Sequence, residues 1–469
     1  MAEPHVWVDG KDVGYWAFGY NAFRLKLGGE LMKPGRHTLA VHLQNVEESS
    51  RWYPGAGIYR PVRLVLHKEV HIDRWETFVR TTRLDGITPD HTQAERARLT
   101  VSSTVESPAY DGKLSVTHTL LDASGKPAGT SKKTLWKDFK QTVQTIDVDQ
   151  PLLWSPEHPV LYTLVTEVYR DNKLCDRQET KVGIRLAEYN QQGFFLNGEQ
   201  RKFRGVCLHH DMGPTGTAFY KDAFRRQVRL LKEMGCDAIR TSHNTPCPWQ
   251  MDICDEMGMM VMAESFDMWK IPKCKNGYAR FFDETDTEHV NADGQKWYLR
   301  DISNLVRVNR NHPSIVMWSI GNEVPEQSHA DGLYYSTMMQ DLIHRLDGTR
   351  PCTQGMNSGR AAMENGIWQT MDIPGWNYHV MEYPAGEKAS KSGIIVGSET
   401  ASTISSRGVY KFPVTEEVQT MYPDGQVSSY DLTVCHWSNL PDDDWVMQDL
   451  DPRVIGEFVW TGFDYLGEP

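Results

Sequence analysis

The eight cysteines of this 469-residue chain show no CxxC spacing. They do not make a disulfide scaffold, and they read as reduced, mostly buried thiols. No apolar run approaches the roughly 20 residues that a membrane-crossing helix needs. Basic charge is short too: 50 Lys and Arg stand against 62 Asp and Glu, for a net charge of −12. Nucleic acid and anionic membranes both require basic surface, so neither is expected as a partner, and a neutral substrate is favoured over a polyanion. No signal peptide opens the chain, and the compartment is left open.

Aromatic side chains are plentiful: 15 Trp and 19 Tyr. They suit sugar rings, although aromatics also dominate ordinary cores. The length predicts two to four domains. Residues 1–68 read as strands and turns, with alternation over 37–43 and 62–66 and a turn-rich loop at 51–61. Strand spacing near ten residues continues over 69–187 and suggests an immunoglobulin-like β-sandwich.

After Asn197-Gly198 short apolar runs alternate with helical stretches, which indicates βα units and a parallel sheet. Phe224, Val228 and Leu231 mark the buried face of one helix near 221–234; Tyr298, Ile302 and Leu305 mark another near 295–308. Strands are predicted at 203–208, 237–241, 259–264, 315–319, 350–354, 372–376, 394–398 and 455–460, which makes 188–469 a (β/α)8 TIM barrel.

Catalytic groups of such barrels sit where strands end at the C-terminal face. Two carboxylates fall there. The apolar run 315–319 leads into Ile320-Gly321-Asn322-Glu323, and 394–398 leads into Glu399. A single Glu after a strand is more often a cap or an ion-pair partner. Two of them, on the fourth and seventh strands, favour paired acid–base chemistry.

These residues belong to longer motifs. NHPSIVMWSIGNE at 311–323 resembles the acid/base signature of glycoside hydrolase family 2, which includes β-galactosidases, β-glucuronidases and β-mannosidases. GVCLHHD at 205–211 and IRTSHNTPCPWQMDICDEMGMMVMAE at 239–264 are similar to its other signature region. RWYPGAGIYRPV at 51–62, LWSPEHPVLYTL at 153–164 and GEFVWTGFDY at 456–465 extend the resemblance over essentially the whole chain. It implies a sugar-binding jelly roll (1–68, incomplete), an immunoglobulin-like sandwich (69–187) and a catalytic barrel, in that order.

By the same resemblance Glu323 is the general acid/base, Glu399 the nucleophile, and Asn322 the partner of the sugar 2-hydroxyl. His243 and His209 match positions lining the sugar subsite, Trp460 a platform under the sugar, and Tyr378 a neighbour of the nucleophile. Arg240 and Glu264 read as supports of the site's electrostatics. Asp267 is a candidate substrate contact; His210, Asn244 and Trp269 could also touch substrate, but the sequence does not separate these four from loop structure. Retaining glycosidases hold their carboxyl groups about 5–5.5 Å apart, so retention of configuration is expected, with Glu323 starting protonated beside the charge on Glu399.

No cofactor is implied. Met268-Trp269-Lys270 stands where magnesium-dependent relatives carry Glu-x-His, so no catalytic metal is expected. The expected partner is a glycoside or oligosaccharide, most of all a β-D-galactoside, with a β-glucuronide behind it; homo-oligomerisation is left open. A non-catalytic carbohydrate-binding barrel is the alternative from another class. The chain also reads as a window cut from a longer protein, since it enters the jelly roll part-way and only 461–469 follow Trp460. An exposed sheet edge and an open barrel seam are therefore expected.

Overall fold

The computed structural model describes residues 2–108, 113–136, 139–418 and 422–465. At the N-terminal end, Ala2–Val8 lies between Lys11–Tyr15 and Leu39–Gln44 in an antiparallel sheet. The strand expected at 37–43 is thus present, displaced by a residue or two. The one expected at 62–66 is not: Val62, Leu64 and Leu66 are 66%, 72% and 72% exposed, and no described strand lies alongside to accept their ladder bonds.

Two four-stranded sheets follow. One contains His71–Ile72, Phe78–Ile87, Ala94–Glu106 and Gln141–Asp149; the other contains Leu114–Leu121, Pro127–Leu135, Tyr162–Arg170 and Lys173–Val182. Gln141–Asp149 buries every second residue, the period of a strand with one face on a core. Leu99, Val101, Leu120, Ile146 and Leu164 fill the space between the sheets.

The stretch before the fourth barrel strand fastens this sandwich to the barrel. Asn311 accepts a bond from Val79 N (2.9 Å) and donates to Thr77 O (2.8 Å). Arg185 donates to the carbonyls of Pro313 and Ile315, each at 2.5 Å. Trp154 is fully buried among residues of the barrel interior and donates to Asp255 O at 3.0 Å. A small sheet (Ala187–Asn190, Gly193–Leu196, Glu199–Arg201) then brings Phe194 and Leu196 into the same cluster as Met260, Val316 and Ile394.

The barrel consists of β1 (Phe203–Leu208), β2 (Ala238–Thr241), β3 (Met260–Glu264), β4 (Ile315–Asn322), β5 (Cys352–Met356), β6 (Gly375–Asn377), β7 (Ile395–Thr400) and β8 (Val454–Val459). All eight expected strands are present, and the closing one corrects an expectation. β8 pairs with both β7 and β1, so hydrogen bonds shut the seam that was expected to stand open. Gly456 lets the closure happen: its φ is 119°, and a Cβ there would meet Phe203 N at 2.2 Å. The helices Lys221–Met234 and Trp297–Asn309 bury the apolar faces expected of them.

Trp154→Ala removes a buried indole at the junction of sandwich and barrel. It is expected to lower stability by about 3–5 kcal/mol, whereas Trp136→Ala, at a 74% exposed position, should stay within about 0.5 kcal/mol. Thermal denaturation of both variants checks this, and equal midpoints would refute the junction's role.

Candidate active site

β1, β2, β3, β4, β6, β7 and β8 each deliver polar or aromatic side chains to the C-terminal mouth of the barrel, at or just past their last residues. The centre is Arg240 on β2, whose side chain is fully buried. Its Nε donates to Glu264 Oε2 (2.9 Å), its Nη1 to Glu399 Oε1 (2.8 Å) and to Ser398 O (3.0 Å), and its Nη2 to Asn322 Oδ1 (2.9 Å). One guanidinium therefore sets the positions of groups on β3, β4 and β7. Burial alone would lower its pKa, but Glu264, Cys207 and Glu399 outweigh that and hold it well above the usual value.

β5 contributes an empty space. A Cβ on Gly355 would lie 2.7 Å from Asn377 Oδ1 and 2.8 Å from Arg240 Nη2, so a side chain there would break the cluster. Gly355 O also accepts from Glu323 N at 2.7 Å.

Asn377, at the end of β6, bridges the acidic pair's surroundings. Its Nδ2 donates to Glu323 Oε1 and to Asn322 Oδ1, each at 3.0 Å, while Ser398 Oγ donates to its Oδ1 at 2.7 Å. Tyr378 next to it donates to Glu399 Oε2 at 3.0 Å and accepts from Ser402 Oγ at 2.8 Å. Glu323 and Tyr378 have φ of 44° and 60°. Backbone in that region is costly for residues with a side chain and persists where neighbours over-determine it. Here those neighbours include the bonds Glu323 N to Gly355 O and Tyr378 N to Glu399 O, the latter 2.6 Å.

Burial pushes the Glu399 carboxyl up to about 7; Arg240 opposes the rise and Glu323 reinforces it. The upward push thus falls on Glu399, the residue that the sequence reading expected to carry the charge. Burial and then Arg240 hold His243 well below the usual range, so its imidazole is neutral. His243 Nδ1 lies 2.8 Å from Glu264 Oε1, its Nε2 is 3.5 Å from Glu399 Oε1, and Trp460 stacks on it with ring centroids 5.1 Å apart. His209 is walled by Trp52, Trp460 and Tyr465, and neither of its buried ring nitrogens has a hydrogen-bond partner among the described residues. It too is held far below the usual range, by burial first and then by His243.

Asp267, past β3, is held by two cations. Arg51 approaches from the N-terminal segment with Nε and Nη2 at 2.9 and 2.7 Å, and Lys273 Nζ lies at 3.0 Å from Oδ1. Burial would raise Asp267, but Lys273 and then Arg51 bring it well below the usual carboxylate range. Lys273 also donates to Asn322 O (2.7 Å), and Asn322 Nδ2 donates to Asp267 Oδ1 (3.3 Å).

The structure therefore gathers Glu323, Glu399, Asn322, His243, His209, Tyr378, Trp460 and Asp267 at one mouth. Sequence reasoning passed over Asn377, Lys273 and Arg51. Asn377 directly precedes Tyr378 and Arg51 opens RWYPGAGIYRPV, which was singled out; Lys273, in a loop past β3, carried no motif. Trp269, within the triplet expected to replace a metal-binding pair, donates to Ile320 O at 2.9 Å. At the opposite end of the barrel, around the start of β5, His344, Cys352 and Asp372 each bring a potential metal-ligand atom within 4.8 Å of the others.

The model of the "Glycosyl hydrolases family 2, TIM barrel domain" matches residues 187–433, and a second model of "Glycosyl hydrolases family 2" matches 82–185. A protein of Bacteroides ovatus called a β-galactosidase is 34% identical over 99% of this chain, and a putative β-glucuronidase of Formosa agariphila is 31% identical over 99%. The chain spans 58% and 43% of those two relatives' lengths. A crystal structure of a glycosyl hydrolase family 2 member from Bacteroides cellulosilyticus superposes with a TM-score of 0.83 at 29% identity, covering 100% of this chain and 54% of that one.

Replacing Arg240 by Met leaves Glu264 and Glu399 buried without their common cation, an expected loss of about 3–5 kcal/mol in denaturant unfolding. Arg240→Lys should recover only part of it, because an ammonium cannot span three partners as the planar fork does. A methionine variant as stable as the parent would contradict this account of the site.

Proposed function

The chain belongs to glycosyl hydrolase family 2, and from that premise we propose that it serves as the catalytic part of a retaining exo-β-glycosidase. The observation that carries the reading is the placement of Glu323, directly after β4, and Glu399, on β7, within one network joined through Asn377, Asn322 and Arg240. A purely sugar-binding barrel has no use for two carboxylates so arranged.

In the first step a Glu399 oxygen attacks the anomeric carbon and the glycosidic C–O bond breaks, while Glu323 gives its proton to the departing oxygen. The product is a glycosyl ester of Glu399. Its charge is then gone, so Glu323, now a carboxylate, accepts a proton from water as that water attacks the anomeric carbon. The ester bond breaks and the β-anomer is released. Arg240 Nη1 and Tyr378 OH each donate to one oxygen of Glu399, and these donors favour the carboxylate as it leaves in the second step. Burial, reinforced by the charge on Glu399, keeps Tyr378 a neutral phenol able to donate. Asn322 is oriented for the sugar 2-hydroxyl, and Trp460, His243 and His209 wall the pocket.

A β-D-galactoside is the preferred substrate, on the similarity to the Bacteroides ovatus relative across nearly the whole chain. A β-glucuronide is the second reading. It is favoured by the Formosa agariphila relative and by two cations, Arg51 and Lys273, meeting the single carboxylate of Asp267 at the rim.

A panel of p-nitrophenyl β-glycosides (galactoside, glucuronide, glucoside, mannoside, fucoside) tests the proposal in the full-length protein. Turnover of one sugar should fall by about 10³-fold or more in Glu323→Gln and Glu399→Gln, an effect on the scale of losing a nucleophile or its proton donor. Proton NMR should show the β-anomer first; early α-anomer would sink the mechanism. Inactivity on every sugar would return the barrel to the binding-protein reading.

The pH profile carries a separate expectation. The attacking group must be a carboxylate. With Glu399 pushed up to about 7, kcat/KM should rise as pH rises through that value, because the nucleophile loses its proton. A flat profile from pH 6 to pH 9 would contradict it.

A further inference from the structure

The segment that follows β7 rejoins the nucleophile's own support. Ser402, whose hydroxyl bonds Tyr378, also donates its N–H to Ser438 Oγ at 2.7 Å. Thr403–Ile404 pairs with Thr433–Val434, which in turn pairs with Glu417–Val418. This small sheet follows β7 at the end of the barrel where Glu399 lies, and the segments around its strands show aromatic rings to solvent. Trp437, adjacent to Ser438, is 44% exposed; Tyr410 and Phe412 are 60% and 75% exposed. Tyr430 lies between the last two, with its ring centroid 5.4 Å from Tyr410 and 6.3 Å from Phe412, both edge-on. Two bonds tie together the connecting segments that carry these three rings: Gly408 N donates to Ser429 Oγ at 3.0 Å and Ser429 N to Val409 O at 2.6 Å.

Exposed apolar surface of this kind, rimmed by polar groups, marks a binding surface. Large rigid rings supply contact area at little conformational cost. The rim is polar here, with Lys411 and Asp424 paired beside the rings. Flat aromatic faces match the C–H faces of sugar rings, and the sheet begins directly after the nucleophile. We propose that the segments around this sheet form an aromatic ledge that binds the leaving-group side of a β-linked oligosaccharide, with Trp437 nearest the scissile bond and Tyr410, Phe412 and Tyr430 further along the chain. The inference rests on the glycosidase reading above. It makes the natural substrate an oligosaccharide, beyond a simple glycoside.

Two substrates with the same terminal sugar separate the ledge from the pocket: an oligosaccharide, and the β-glycosyl fluoride, whose leaving group has no ring to stack. In the full-length protein, Trp437→Ala and the double variant Tyr410→Ala with Phe412→Ala should each reduce kcat/KM on the oligosaccharide about tenfold, the equivalent of roughly 1.4 kcal/mol. Activity on the fluoride should stay within about twofold. Equal loss on both substrates, or no loss on either, would overturn the ledge. Calorimetric titration of the oligosaccharide into the Glu399→Gln protein, with and without Trp437→Ala, decides the matter even if neither substrate turns over. Binding about tenfold weaker in the double variant supports the proposal; unchanged or undetectable binding in both overturns it, as does a drop in oligomeric mass on Trp437→Ala, which would assign the rings to a second copy.

Discussion

A fully buried guanidinium must have its charge met and its donors satisfied, and most of this site follows from how that is done for Arg240. Its partners arrive from β3, β4 and β7, so the requirement couples strands far apart in sequence. Gly355 is bare because the cluster needs its space. Glu264 spends one oxygen on Arg240 and offers the other to His243, which holds the imidazole beside Glu399. Charge compensation at the barrel's centre and alignment of the pair at its mouth are one arrangement.

The barrel strands were readable because a sheet covered on both faces writes its strands as short apolar runs. β4 shows this best: every residue of Ile315–Asn322 is buried, and the acidic residue after it marks the rim. The segment at 62–66 shows the opposite case. Its alternation is that of a strand, but a strand exists only where another supplies hydrogen bonds, and alternation does not record whether a neighbour is there. Seam closure was misjudged for a related reason, since the ladder between β8 and β1 depends on backbone groups and on the bareness of Gly456 rather than on a following helix.

Within the site, residues at the ends of apolar strand runs were legible, and those defined by three-dimensional convergence were not, even where a motif holds them, as with Arg51. Asn322 and Glu399 lie at the ends of β4 and β7, and Glu323 follows β4 directly. Lys273 lies in an unpatterned loop, and Arg51 is 216 positions from Asp267. No local pattern of charge or period joins two such residues; their pairing is a product of domain docking. The upward push on the Glu399 carboxyl was likewise hidden, because it depends on how deeply the fold buries it.

The reach of Arg51 into the mouth means that the barrel is not a self-sufficient module. Asp267 is held as an anion partly by a residue that belongs to another layer of the molecule. A barrel transplanted without its N-terminal segments would keep both glutamates and lose one of the cations at its rim. Shuffling of domains among such proteins therefore carries a hidden dependency: an exchanged N-terminal segment must bring its own partner for Asp267 or leave that carboxylate to Lys273 alone.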